Sequence, residues 1–403
     1  MKYLKKFETE NDRSAYENGE SYIEPYVSYV DGGDVHYNKP PETRIIAKFN
    51  TTSANKNLKI LSAFSATTNI ASIEIDGVKQ QSVVTAYTFA VIGEHTVKYT
   101  LIDGVSINER MFESCSGMSS IIIPDNVTSI GGYVFYGCSG LTDVHIGSGA
   151  TSIGDRAFQL CVNLSSINIP DSVVSIGDNI FTYCDSLPIE NDIMYADTYL
   201  VRTTDKTLTT YTIKEGTRWI GMSAFRECSG MTSIIIPDTV TEIRQEAFLI
   251  CPSLTGITIP DSVTYIGTNV FMNCSGLLSA VIGSGITSVP SYVFASCGSL
   301  TSVTIPNTVT IIDSYAFSSC SGLTSITIPN SVTTIRYMAF YGCSSLQSII
   351  SLATTAPSIS NNTFQNVKAG GTLYVPSGSS GYDTWMGSGN YYLGKYGWTK
   401  VEQ

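Results

Sequence analysis

Apolar residues recur along most of this chain in one fixed cadence. A Phe stands three residues before a Cys, and a Leu or Met stands three residues after it. An alternating apolar pair then follows, as in Phe317, Cys320, Leu323, Ile326 and Ile328. Pro329 comes next, a place taken by Gly147 and Gly283 in two copies. Two further apolar positions, such as Val332 and Ile335, lead into the next Phe. The cysteines mark the period. Cys115, Cys138, Cys161, Cys184, Cys228, Cys251, Cys274, Cys297, Cys320 and Cys343 are 23 residues apart at every step except one of 44, between Cys184 and Cys228. The triplet Ile326-Thr327-Ile328 alternates as a short strand does, and Pro329, with no N–H to give, ends it. The pattern predicts one coil per period. A coil cannot bury its own apolar face, so coils must stack, with like residues above one another at the strand spacing of about 4.8 Å.

The 44-residue step equals two coils short of two residues. Within it, strands are predicted at Ile193–Arg202 and Thr207–Ile213 around Thr203-Thr204-Asp205-Lys206. Tyr211, Ile213, Thr217 and Ile220 recover the register before Phe225. The expectation is a modified coil over 188–220 with a small hairpin, and not a domain boundary.

These columns, as in LTSITIPNSVTTIRYMAFYGCSS over Leu323–Ser345, resemble the BspA-type, or treponemal-type, leucine-rich repeats across Gly104–Val367. The resemblance implies a right-handed solenoid. It also implies adhesion or ligand recognition at bacterial or parasite surfaces, and no catalytic residues. The predicted fold class is a β-rich leucine-rich-repeat solenoid of 23-residue coils over 104–367, preceded by a small immunoglobulin-like β-sandwich.

The sandwich is predicted over 43–103, from candidate strands Arg44–Phe49, Ile73–Ile75, Ser82–Phe89 and His95–Leu101 with turns at Asp76-Gly77 and Gly93-Glu94. Its expected role is a spacer and a cap over the first coil. Residues 1–42 form a charge-rich head. Phe7–Tyr16 is predicted as a short helix, and Tyr26–Val30 with Val35–Tyr37 as a hairpin around Asp31-Gly32-Gly33-Asp34. The head, LKKFETENDRSAYENGE followed by PYVSYVDGGDVHYN, resembles N-terminal segments of tail-associated proteins in phages of gut Bacteroidales. That resemblance implies attachment to other tail proteins of a virion, with no secretion signal needed. After Phe364 the Cys column becomes Val367. In the tail, 368–403, Leu373–Val375 is a last strand, and Trp385, Tyr391, Tyr392, Tyr396 and Trp398 are expected to cap the final coil.

Charge narrows the partners. The formal net charge is −11, and charged residues make up 14% of the chain. That argues against nucleic acid, which needs a basic footprint, and against docking on anionic lipid. No apolar run reaches the roughly 18 residues of a membrane helix, so no membrane insertion is expected. In the opening residues Glu8, Glu10 and Asp12 fall where a signal peptide would be apolar, so no secretion signal is expected there. The cysteine ladder reads first as buried free thiols packed as small hydrophobes. Disulfides between stacked coils have suitable spacing but poor side-chain geometry. Zinc lacks both CxxC pairing and a His partner.

Catalytic signatures are sparse. Of three histidines, His145 shares an outward strand face with Asp143, but no nucleophile or oxyanion hole is marked. No phosphate-binding loop, dinucleotide fingerprint or HExxH occurs. The expectation is a non-enzymatic protein without cofactor or metal. Positions that vary between coils are free for recognition. Between the Ile and Phe columns stand Tyr133, Arg156, Arg244, Tyr292, Tyr315 and Tyr337; between Phe and Cys stand Tyr136 and Tyr341. Tyr and Arg are favoured binding anchors, so these eight form the candidate binding face. Two settings follow: a phage tail-associated or receptor-binding protein of the virion, or a bacterial cell-surface adhesin. Either would meet a protein or glycan receptor, with a homo-oligomer among the expected states.

Overall fold

The computed structural model describes residues 28–31, 34–37, 43–63, 69–102, 105–389 and 391–403. The helix expected at Phe7–Tyr16 lies outside the described residues. The hairpin does form: Ser28–Asp31 pairs antiparallel with Asp34–Tyr37, Ser28 opposite Tyr37. The chain divides into two compact units, Met1–Asp185 and Ser186–Gln403. The division falls just before the modified coil.

In the first unit, Arg44–Thr51 and Gly93–Leu101 form a long antiparallel pair, Arg44 opposite Thr100 and Thr51 opposite Gly93. Ile70–Ile75 joins the far side of Gly93–Leu101, and Val78–Lys79 joins Ile70–Ile75. Asp76 and Gly77, both at positive φ, make the tight turn between these last two strands, as a primed hairpin turn requires. Gly93-Glu94 is not a turn; both residues belong to the strand, and the chain bends at 90–92. The strand expected from Ser82 is confined to Ala86–Phe89 and pairs with Lys56–Lys59.

An immunoglobulin-like sandwich is not what the strand order shows. The larger sheet runs on through Arg44–Thr51 into the coils: that strand pairs antiparallel with Met118–Ile123, which pairs parallel with Asp143–Ile146, and that in turn with Ser166–Ile167. The reason is the open edge of the first coil. An unpaired edge strand exposes a row of backbone donors and acceptors, and Arg44–Thr51, with alternating buried residues, covers it. The antiparallel pairing carries a register shift between Met118 and Ser120, and over Ser120–Ile122 the strand is paired antiparallel on one side and parallel on the other. Tyr99 continues the cover inward: its ring meets Phe112 edge-on at 5.0 Å, and its hydroxyl donates to the Ile60 carbonyl at 2.6 Å.

The coils follow the predicted columns. Phe112, Phe135, Phe158 and Phe181 stack with ring centroids 5.1–5.6 Å apart. In the second unit Phe225, Phe248, Phe271, Phe294, Phe317, Phe340 and Phe364 do the same at 5.2–5.8 Å. In Ser325–Ile328 the two Ile are buried and Thr327 is exposed, the alternation read from the sequence. All ten cysteines are buried and free. Eight of them donate Sγ–H to the carbonyl of the Phe one coil earlier, as Cys138 does to Phe112 at 3.0 Å and Cys343 to Phe317 at 3.2 Å.

The modified stretch differs from expectation in its hairpin. Ile193–Ala196 pairs antiparallel with Tyr199–Thr203, and the turn lies at Asp197, at positive φ, rather than at Thr203–Lys206. At Thr203–Lys206 the chain bends around side chains instead: Asp205 Oδ1 accepts both the amide and the hydroxyl of Thr207, at 2.8 and 2.7 Å. Tyr199–Thr203 then pairs parallel with Trp219–Ile220, and Thr210–Thr212 with Ser233–Ile235. Tyr211, in register with Ile234, meets Phe225 edge-on with ring centroids 5.2 Å apart.

At the chain end Thr372–Val375 and Thr399–Glu402 add two parallel strands. Tyr382, Trp385 and Trp398 are buried. Trp385 lies 5.2 Å from Phe364, with its Nε1 donating to the Pro357 carbonyl at 2.9 Å; Trp398 Nε1 donates to Lys368 at 2.8 Å.

Candidate binding faces

The side of each coil that carries the Phe is built from tight turns. Alternate amides bond to the next coil: Tyr133, Phe135 and Gly137 donate to Asp155, Ala157 and Gln159 at 2.8–2.9 Å. Between them, Tyr136 and Cys138 donate three residues back. This geometry holds the residue two before Phe in the left-handed region in coil after coil. Asn179, Asn269 and Asn362 suit it, since Asn tolerates that region. Tyr133, Arg156, Tyr292 and Tyr315 occupy the same place with φ of 54–61°, against local preference by about 1–2 kcal/mol per residue.

In the first unit the structure brings Tyr133, Tyr136 and Arg156 together. Arg156 donates to the Tyr133 hydroxyl at 2.6 Å, and the two tyrosine rings lie 5.7 Å apart. Sequence reasoning missed Arg110, whose guanidinium sits 4.3 Å from the Tyr133 ring centroid. The signal was present: Arg110 also stands two residues before a Phe. Glu113 pairs with Arg110 at 2.9 Å, so the arginine that presents charge outward is Arg156, which is exposed.

In the second unit Tyr292, Tyr315 and Tyr337 form a row. Tyr292 and Tyr315 stack at 4.5 Å and 7°, and Tyr337 meets Tyr315 edge-on at 5.4 Å. Stacking takes up the facing sides of Tyr292 and Tyr315. Partial burial, then the Tyr337 and Tyr292 hydroxyls, hold the Tyr315 phenol above its ordinary range. Arg244 does not belong to the row. It is half-buried, pairs with Glu242 at 2.6 Å, and lies over the Tyr265 ring at 5.4 Å. Tyr341, between Phe340 and Cys343, is half-buried, and among the described residues no ring stacking joins it to the row. His145 and Asp143 are both exposed on their strand. Among the described residues no group of three or more His, Cys, Asp or Glu could hold a metal, and no helix is long and apolar enough to cross a membrane.

Three solved structures are similar to this chain. A leucine-rich repeat protein from Eubacterium ventriosum is 24% identical, with 71% of this chain and 84% of that chain covered and a TM-score of 0.40. One from Bacteroides ovatus is 22% identical, covering 95% and 100%, TM-score 0.32. A leucine rich cell surface protein from Faecalibacterium prausnitzii is 23% identical, covering 83% and 96%, TM-score 0.28. No curated protein matches. The family model for the BspA type leucine rich repeat region matches residues 105–194, 203–323 and 287–385. Those matches span more than half of the sequence, so the chain belongs to the BspA type leucine rich repeat family.

Proposed function

We propose that this chain is a non-enzymatic binding protein of a cell surface, which uses its repeats to display the Tyr292, Tyr315 and Tyr337 row to a protein or glycan receptor. The observation that carries this reading is the conformation of the row. Folding alone would favour Asn or Gly where Tyr292 and Tyr315 stand. Ring stacking returns about 0.5–1.5 kcal/mol per pair, no more than offsetting the left-handed backbone. Large aromatic residues held at local cost on an accessible surface point to use of that surface. Family membership supports recognition as the general role, and the net charge of −11 argues for partners other than nucleic acid.

The test is a pull-down and a glycan array with the full chain, against the same chain with Tyr292, Tyr315 and Tyr337 changed to Ala, and a second variant, Tyr315→Asn. Losing an aromatic anchor costs about 2 kcal/mol or more, so binding should weaken by about 30-fold or more. Tyr315→Asn should do so with its melting temperature unchanged or raised. Equal binding by all three proteins removes the row from the reading. A second setting, a tail-associated protein of a virion held through residues 1–42, is favoured by the sequence of that head alone. Tail structural genes beside this one would support it.

A further inference from the structure

One column of the second unit is interrupted at a single residue. After the second short strand of each coil, one amide donates to the coil before: Gly221 to Leu200, Arg244 to Ile220, Gly267 to Ile243, Asp313 to Val289 and Arg336 to Ile312, all at 2.8–2.9 Å. Pro290 stands in this column and has no N–H to give. Its ring fills the space the bond would use, and the two coils part there. Tyr265–Ile266 pairs back to Glu242–Ile243, and Ser288–Val289 pairs forward to Ile311–Ile312, but the two do not pair with each other. Thr264 donates to Thr241 and Thr310 to Thr287 at 2.8 Å, while the Thr287 amide has no such bond to Thr264. The parting is local, since Phe271 and Phe294 stay stacked at 5.6 Å in the core.

The result is a groove of about 240 Å³ between the coils, with Thr264, Tyr265, Ile266, Thr287, Pro290 and Asp313 in its lining. Three backbone groups at this break have no protein partner among the described residues: the Thr264 and Ile266 carbonyls and the Thr287 amide. Tyr265 is 48% exposed, with the Arg244 guanidinium over its ring. Asp313 is held by Arg336 through Oδ1 at 2.9 Å, which leaves Oδ2 unengaged.

We propose that this groove is a binding subsite for one neutral pyranose ring of a glycan. The site needs a ligand that donates to two carbonyls and a carboxylate oxygen, accepts from an amide, and offers C–H surface to a tyrosine. Vicinal hydroxyls on a saturated ring do all of this. An anion meets two carbonyls and a carboxylate. A metal ion finds one carboxylate, already paired. A peptide strand would need the coils to open to about 9.6 Å, two strand spacings, which the stacked Phe271 and Phe294 forbid. The volume lies below the roughly 300–1,000 Å³ of pockets for drug-sized ligands, which suits a single ring.

The site goes beyond the tyrosine row and does not depend on it. The full chain is titrated, by calorimetry and by ligand-detected NMR, with methyl glycosides of glucose, galactose, mannose and N-acetylglucosamine. At least one should bind with Kd on the order of 1 mM, as a ligand this small allows. Tyr265→Ala should weaken that binding at least about tenfold. Pro290→Gly, which returns the missing donor, should do the same while slowing hydrogen exchange at the Thr287 amide. Tyr292→Ala should leave sugar binding unchanged, so failure of this site and failure of the row are told apart. Melting curves confirm that each variant is folded. The proposal is overturned if no glycoside binds although the Thr287 amide exchanges freely, which leaves a groove filled by water only. It is equally overturned if Tyr265→Ala and Pro290→Gly bind sugar as the parent does.

Discussion

Raising the pH should unfold this protein through its cysteines. Burial pushes the thiols of Cys297 and Cys343 up from 9.0 to about 12, because a thiolate among stacked Phe and Leu side chains has no water to solvate it. In the unfolded chain the same thiols ionise from 9.0. A group whose folded pKa is raised contributes stability that is present below the unfolded value and is lost as pH rises through the folded one. The window is therefore about pH 9 to 12, where the unfolded state binds fewer protons. At pH 10 each thiol favours unfolding by about RT ln 11, or ~1.4 kcal/mol, and at pH 8 by less than about 0.1 kcal/mol. The pair gives about 3 kcal/mol over two pH units, a large share of a typical stability of about 5–15 kcal/mol. Other high-pH groups, including Tyr382 and Lys400, are shifted the same way, so the assay must isolate the thiols. Urea midpoints at pH 8 and pH 10 are compared between the parent and Cys297→Ala/Cys343→Ala. The variant starts weaker at pH 8, since each Sγ–H bond to a Phe carbonyl is lost at about 0.5–1.5 kcal/mol, and it should then lose about 3 kcal/mol less than the parent on going to pH 10. Equal pH slopes would refute the reasoning. So would native thiols that react with a maleimide at pH 9 as fast as those of the urea-unfolded chain.

Removing one ring from the phenylalanine column should weaken the second unit as a whole, because Phe317 stacks on both Phe294 and Phe340. Phe317→Ala is expected to cost about 3–5 kcal/mol, read as a lower urea midpoint, and a loss below about 1 kcal/mol would show that the rings do not share one core. Trp385→Ala should act at the chain end: the Phe364 ring loses its cover and the Pro357 carbonyl its donor. The amides of Thr372–Val375 should then exchange faster while those near Phe248 keep their protection, and uniform protection across both would count against a capping role.

The sequence made the coil legible because each column answers to one physical demand. Ile326 and Ile328 point inward and Thr327 outward, as the alternation required. Three things were not legible, each for its own reason. The covering of the first coil by Arg44–Thr51 depends on which sheet edge a strand finds, and alternation alone does not say whether it closes a sandwich or extends a sheet. The hairpin at Asp197 was misplaced because Thr203–Lys206 is rich in turn formers that here serve a side-chain bend around Asp205. The candidate face was read as one set, yet a column does not reveal that Arg244 is bound to Glu242. Arg110 was open to detection because it stands in the same column as Tyr133, and Pro290 because it departs from a repeated column, which is where a repeat protein shows what its coils do individually.

The cysteine column shows how narrow such a demand can be. In nine of the ten coils, all but that of Phe248, the Phe carbonyl already accepts the amide of the Cys in its own coil, as Phe317 does from Cys320 at 3.2 Å. Its second lone pair faces the next coil in a core without water, and there it meets the thiol of Cys343. Alanine at this place would fit but would leave that lone pair without a donor. Serine would donate more strongly, yet its own two lone pairs would then be buried among apolar side chains with nothing to accept from. A thiol is small and apolar, a weak donor and a weak acceptor, so it satisfies the carbonyl and asks for little in return. The recurrence of Cys every 23 residues is on this account a consequence of stacking Phe carbonyls in a dry interior, and needs neither disulfide nor metal chemistry to explain it.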